Sequence, residues 1–357
     1  MSIAHELDDD VTILSSSPRP DSWTGGWVDL PLDHSPHDRE SAADTTAHGA
    51  LHWAPLGSAG LRARMNSITA WLSEARPSVV VVDVSVEIVL LVRLHGIPVV
   101  TIAQPGERTD APHELGYRAS SAIVAVWPPG IPALRVADDI APRIEAVGAI
   151  SRIATAAPLP RDPRQIAVLG GFGTRGSSAL DAAVAEARAA TPDVRWVVLS
   201  RADKDTVART LRTSALVFAH CGENALAEIA ASRVPAIIVP EERPHAEQQA
   251  MGVALGASGM PVSVVDVAAN DTPPAQLDWA RLVRETAALD GGLWRAWHDG
   301  GAAARAAAIV QRVAAATPGV GDGVGEECGA AKKRGAAEQF DSAEPRGAAE
   351  QSRIDAA

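Results

Sequence analysis

The amino-acid sequence predicts an α/β fold, doubly wound and built twice over, and three observations carry that expectation. Short apolar runs alternate with Ala-rich segments of helical pattern along most of the chain. The runs are apolar on both faces, as parallel strands covered by helices are, and the intervals between them have the length of crossover helices. Six prolines, Pro128, Pro129, Pro132, Pro142, Pro158 and Pro160, then divide the series into two halves.

In chain order, the first half offers a helical scrap at residues 2–7 and strands at residues 11–14, 79–82, 99–102 and 123–126. The prolines break any long helix and mark a hinge, with the boundary near Asp139. The second half offers strands at residues 166–169, 196–199, 216–219, 236–239 and 262–265. Helical patterns at residues 179–190 and 225–231 lie between them, and a last helix at residues 302–316 is expected to cross back over the hinge. Trp294 and Trp297, three apart, fit one helical face; packing area is the better reading of them than a sugar platform. The domains are thus residues 1–138, residues 139–316 and a tail, residues 317–357. In the tail the composition shifts to Gly, Ala, Glu and Arg, and the hexapeptide starting at Arg334 recurs at Arg346. Such a segment has too little apolar surface to offset its ordering entropy and is expected to be disordered, with Cys328 an exposed thiol of no consequence.

Composition excludes several classes. At 357 residues and 46% hydrophobic, the chain is long enough for two cores. Lys and Arg number 32 against 44 Asp and Glu, a net charge of -12, and only Lys204, Lys332 and Lys333 are lysines. That balance argues against nucleic acid and anionic lipid as partners. Cys221 and Cys328 cannot build a disulfide framework or a protein-only zinc site, and the acidic start is no signal peptide. The longest apolar stretch, residues 78–103, carries Asp83, Glu87, Arg93 and His95, so no transmembrane segment is expected. A cytoplasmic protein is expected, with peripheral membrane association the other placement considered.

Two turns carry the chemistry. Strand 166–169 runs into Gly170, Gly171, Phe172, Gly173 and Thr174 and then into a helix, which lets backbone N–H groups and a helix N-terminus approach an anion. A tight turn without ligand is the plainer reading of that cluster taken alone. Strand 216–219 runs into His220, Cys221, Gly222, Glu223 and Asn224 and then into a second helix, whose N-terminus points at the same sheet edge. Two half-positive helix ends suit one diphosphate. Glu228, just over a turn into that helix, is placed to accept both hydroxyls of a ribose, an ordinary solvated Glu being the alternative. The polar loop 241–249, with Glu242, Arg243, Glu247 and Gln248, follows a strand end and is suited to grip sugar hydroxyls.

At these residues the sequence resembles a known family. His220, Cys221 and Gly222 followed by Glu228, Val234-Pro235, Val239-Pro240 and Glu247-Gln248 resemble the donor-binding half of GT-B glycosyltransferases, in particular family 28, over roughly residues 166–255. The N-terminal half, with residues 51–56 and 82–87, looks like the acceptor half of bacterial members. The resemblance implies a GT-B fold, two Rossmann-like domains facing a cleft. It implies an inverting hexosyl transfer from a nucleotide-diphosphate sugar, UDP-linked, to an acceptor hydroxyl on a small molecule or a lipid-linked glycan. By the same resemblance Gly170, Gly171, Gly173 and Thr174 lie near the donor diphosphate with Gly222, Glu223, Asn224 and His220, Glu228 holds the ribose, and Glu247 and Gln248 the sugar. A buried structural role is the other reading of His220. A nucleotide-sugar epimerase or hydrolase on the same scaffold, and a non-catalytic nucleotide-sugar binding protein, are the alternatives.

The chain departs from that family pattern in its first half, where the opening strand and Gly-His loop are missing. Either the start methionine is assigned too late and Met1 belongs inside the first helix, or the enzyme is truncated and inactive. The short segment 200–215 lacks the further strand and loop with which many members bind uracil. Asp203-Lys204-Asp205 imitates a DxD metal motif, but Asp205 reads as a helix N-cap, so no metal and no cofactor are expected. For the catalytic base, Asp83 and Glu87 beyond a strand end and His113 in a loop are the candidates, beside His48, His52 and Ser85. Residues 105–110 form either a binding loop or a solvated turn.

Overall fold

The computed structural model describes residues 2–7, 10–34, 44–155, 159–170, 178–200, 202–265 and 277–316; the tail, with its repeat and Cys328, lies outside them. Every apolar run read as a strand forms one. In the second half, Arg195–Val198, Asp162–Leu169, Ser214–Ala219, Ala236–Ile238 and Val262–Val264 lie side by side in that order, all parallel. In the first half the order is Val80–Asp83, Val99–Ala103, Ala122–Ala125 and Ile144–Ala146, again all parallel. Central strands such as Val99–Ala103 and Ala122–Ala125 are almost wholly buried, which is why they read as continuous apolar runs.

Three elements differ from the sequence reading. The first strand, Thr12–Ser15, does not join the main sheet. It pairs with Gly26–Asp29 in a two-stranded sheet of its own, leaving Val80–Asp83 as an edge of the first-half sheet. A cavity of about 1220 Å³ is lined by both Thr12 to Leu14 and Val80 to Asp83 and continues between the halves. Gly26–Asp29 escaped detection because Trp27 and Val28 make too short an apolar run. Second, Ile144–Ala146 belongs to the first-half sheet, so the chain leaves that sheet after Ala146, later than the boundary at Asp139. Pro128, Pro129 and Pro132 lie in loops inside the first half, and Pro142 sits in the first turn of the 3-10 helix Ala141–Arg143 that feeds the strand. Third, the helix after the short Asp-Lys-Asp stretch spans Lys204–Thr213, and its N-cap is Asp203, which accepts from Thr206 N at 2.9 Å; Asp205 sits in the first turn.

The helix Ala302–Ala316 does cross back. Ala302, Ala306, Ile309, Val310 and Val313 pack on Val100, Ala122, Val124 and Val147 of the first half, while the preceding Trp294 and Trp297 are buried in the core around the second-half sheet. Arg305 fastens the return, donating from Nε and Nη2 to Val147 O at 2.8 and 2.6 Å and pairing with Asp299 at 2.9 Å. A second contact between the halves is made at Gly106, whose φ of +106° and lack of a side chain let it lie against His245; a Cβ there would sit 2.3 Å from the His245 carbonyl oxygen.

Trp294 is fully buried and its indole Nε1 donates to Val234 O at 2.7 Å. Trp294→Phe strands that carbonyl and is expected to cost about 1–3 kcal/mol. Trp294→Ala adds a cavity and should cost about 3–5 kcal/mol. Urea unfolding measures both, and a Phe variant as stable as the parent would show that the hydrogen bond contributes nothing.

Candidate functional site

The site is built around one helix end. Glu223–Ser232 is buried at every position from Ala225 to Ser232, and its N-cap, Gly222, offers no side-chain cap to the first-turn N–H groups. Gly222 is glycine for a steric reason: a Cβ would sit 2.7 Å from His220 Cε1 and 2.8 Å from Nδ1. The His220 ring folds over it, and Nδ1 accepts from Gly222 N at 3.0 Å. An accepting Nδ1 puts the proton of the neutral ring on Nε2, and burial favours that neutral form by lowering the pKa, with Glu241 opposing. His220, Glu223 and Asn224 line the cavity between the halves, as does Gly170.

Glu223 at a helix N-terminus would repel a phosphate if ionised. Burial pushes its carboxyl up to about 8, and Glu247 and Asp83 push the same way against Arg108. Its Oε1 is buried without a hydrogen-bond partner. Below about pH 8 the group is therefore a neutral acid, able to donate to an anion. The neighbouring Cys221 thiol is pushed up by burial and is no nucleophile.

Glu228 is buried and accepts from Nε of Arg152, a half-exposed residue of the connection between the halves. Gln248, expected to grip sugar, is almost wholly buried, and its Oε1 accepts from both Cys221 N and Glu241 N at 3.0 Å. That amide braces the loop onto the helix turn. Glu242 is exposed, Arg243 lines the cavity and pairs with Glu241 at 2.9 Å, and Glu247 faces Arg108 of the first half at 3.6 Å. Gly171, Gly173 and Thr174 lie outside the described residues.

On the first-half side, the candidates separate. Asp83 lines the cavity with its side chain open to it, and the protein atoms around that wall, by displacing bulk water, raise its carboxyl pKa. Glu87 is committed: its Oε1 accepts from His52 N at 2.8 Å and Trp53 N at 3.0 Å, and its Oε2 from Ser85 Oγ at 2.9 Å. Its role is to hold the loop that carries His52. His113 is buried, with Nδ1 2.6 Å from Asp110 Oδ2 and Nε2 3.2 Å from Arg108 Nη1. Burial takes its pKa down to about 4 against the pull of Asp110. Burial would raise Asp110, but hydrogen bonds from His113 and His52 bring it down to about 2. His52 Nε2 stands 3.0 Å from Asp110 Oδ1, and His245 of the second half 3.5 Å from Oδ2. Sequence reading missed Arg152, whose partner Glu228 is far away along the chain, and saw Asp110 only as part of the loop 105–110, since its partner His52 is also remote. The N-cap position of Asp110, before the helix Ala111–Ala119, was the local signal available.

No protein-family model and no curated protein sequence matches the chain. Solved structures do. The glycotransferase of kitacinnamycin aligns at TM-score 0.51 and 18% identity over 70% of this chain and 79% of its own. Acinetobacter baumannii MurG aligns at TM-score 0.50 and 16% identity over 70% of this chain and 77% of its own. The spinosyn rhamnosyltransferase SpnG, complexed with thymidine diphosphate, aligns at 0.50 and 18% over 70% and 76%. Phytolacca americana UGT2, complexed with UDP-2-fluoro-glucose and pterostilbene, aligns at 0.51 and 16% over 70% and 80%. At these identities the likeness establishes architecture: the chain has the GT-B fold, as its sequence motifs implied.

Two expectations follow. The unfolded chain ionises a Glu at ordinary carboxylate pH, whereas folded Glu223 holds its proton to about pH 8. Stability therefore falls as pH rises between those limits. Glu223→Gln should match the parent at about pH 4 and melt higher than it at about pH 9; equal melting temperatures at both would refute the buried neutral acid. Gly222→Ala should displace the His220 ring and shift its imidazole NMR signals, and an unshifted ring would refute the steric reading.

Proposed function

We propose that the chain is a glycosyltransferase that moves a hexosyl group from a nucleotide-diphosphate sugar to an acceptor hydroxyl, with inversion at the anomeric carbon. The observation that carries this reading is the uncapped helix end at Gly222, opening with a neutral Glu223 onto a cavity of about 1220 Å³ shared by the two halves of a GT-B fold. Solved proteins of the same fold form complexes with thymidine diphosphate and with UDP-2-fluoro-glucose, which supports a nucleotide-sugar donor.

In this reading the diphosphate sits on the N–H groups of the Glu223–Ser232 helix, with His220 Nε2–H and the Glu223 carboxyl as further donors. The leaving group's charge is thus met by protein dipoles. Glu228, with Arg152 beside it, binds the ribose, and Glu242, Arg243 and Glu247 lie along the loop that meets the sugar. Asp83 is the base. It takes the proton of the acceptor hydroxyl as that oxygen bonds to the anomeric carbon and the bond from carbon to the diphosphate oxygen breaks. Its raised pKa makes it a stronger base than an open carboxylate. Glu87 and His113 act through position only, holding the His52 loop and Asp110. The family 28 resemblance favours a UDP-linked donor.

The test is calorimetric titration with a panel of nucleotide-diphosphate sugars, followed by product analysis with hydroxyl acceptors. Transfer to an acceptor is expected. Release of free sugar or of an isomer alone would identify a hydrolase or epimerase, and failure of every donor to bind would overturn the reading. Asp83→Asn should bind donor as the parent does and lose at least about 100-fold in turnover, the lower range for a general base; Glu228→Gln should lose donor affinity instead.

A further inference from the structure

Three imidazoles from three distant segments converge on one carboxylate. His52 comes from the loop held by Glu87, His113 from the first turn of Ala111–Ala119, and His245 from the turn after the Ala236–Ile238 strand of the second half. Asp110 is the N-cap of the Ala111–Ala119 helix, and its Oδ1 accepts from His113 N at 3.3 Å, so the helix fixes the carboxylate in place. The nitrogens and a carboxylate oxygen all lie within 4.8 Å of one another.

The hydrogen bonds sort these four residues into two kinds. Arg108 has only donors, so its contact at 3.2 Å makes His113 Nε2 an acceptor and leaves the proton on Nδ1, which donates to Asp110 Oδ2 at 2.6 Å. His113 therefore positions the carboxylate. His52 Nε2 and His245 Nδ1 face the two remaining lone-pair directions, at 3.0 and 3.5 Å. The longer separation is at the outer limit of a hydrogen bond but suits two ligands of one tetrahedral ion, which are about 3.3 Å apart when each bond is about 2.0 Å. His245 is delivered there at a backbone cost. Its φ is +60°, in the left-handed region, and the turn is pressed against Gly106.

We propose that His52 Nε2, His245 Nδ1 and the Asp110 carboxylate hold one divalent transition-metal ion, zinc or a chemical equivalent, that clamps the two halves of the chain together. Two imidazoles and one carboxylate are a ligand set for zinc, cobalt or nickel and a poor one for magnesium or calcium. Asp110 is hydrogen-bonded by His113, as ligating carboxylates are. Arg108 is the opposing charge nearby; the His113 ring stands between it and Asp110, and Glu247 lies 3.6 Å from its guanidinium. Three protein ligands leave a fourth position for water or a substrate oxygen. This site departs from the metal-free expectation drawn from composition and the Asp-Lys-Asp stretch, and it stands or falls apart from the glycosyl-transfer reading.

The experiment strips the full chain with a chelator and titrates Co2+, Zn2+ and Mg2+ separately by calorimetry, with the visible spectrum of Co2+ reporting coordination. One Co2+ or Zn2+ per chain is expected, with a tetrahedral Co2+ spectrum, a higher melting temperature and no Mg2+ uptake. His245→Gln, on a partly exposed turn and away from the core, should lose affinity at least about 30-fold and lose the thermal shift. His113→Gln should lose about 10- to 100-fold, the range for residues that orient ligands, and Asp110→Asn should abolish the spectrum. His95→Ala, on an exposed position outside the cluster, should change nothing. Absence of stoichiometric binding, or binding unchanged in His245→Gln, overturns the proposal and leaves the cluster as a hydrogen-bonded contact.

Discussion

A helix buried along nearly its whole length cannot disperse its end-group polarity into bulk water. Glu223–Ser232 is such a helix, enclosed by the second-half sheet and by Trp294 and its neighbours, and its uncapped N–H groups face the cavity. The surrounding residues answer to that constraint. Gly222 leaves room for His220, Gln248 braces the turn through two backbone N–H groups, and Glu223 keeps its proton. The cavity is what remains of the space in which those donors find a partner.

The first half contributes charge across the cavity. Asp83 and Glu247 are close enough to raise the proton affinity of Glu223, with Arg108 as the opposing cation. Three carboxyls sharing one guanidinium cannot all ionise without cost, and the structure resolves the excess by holding one as a neutral acid. Groups kept against their ordinary ionisation lower stability, and they concentrate where chemistry is done.

The two halves are joined by more than the connecting chain. Ala302–Ala316 packs on the first-half sheet directly after the tryptophans of the second-half core, and Arg305 ties it to Val147 O and Asp299. Gly106 against His245 and Arg108 facing Glu247 make a second contact.

Alternating apolar runs and helical patterns determined the α/β architecture and placed every strand of the second-half sheet, because burial on both faces writes a local, contiguous signal. The Gly222 turn and the helix behind it were legible for the same reason: strand, glycine and helix adjoin in sequence. Thr12–Ser15 was read as a strand, but its separate sheet was not, since the choice of neighbour belongs to packing and leaves no mark in four residues. Ile144–Ala146 was missed because three residues among prolines carry no period. What only the tertiary structure decided are the encounters across long stretches of chain: Arg152 with Glu228, Glu87 under the His52 loop, and His52, Asp110, His113 and His245 around one carboxylate. Those contacts are set by how whole elements pack, and a polar residue in a loop looks the same in sequence whether it faces water or a partner 100 or more positions away.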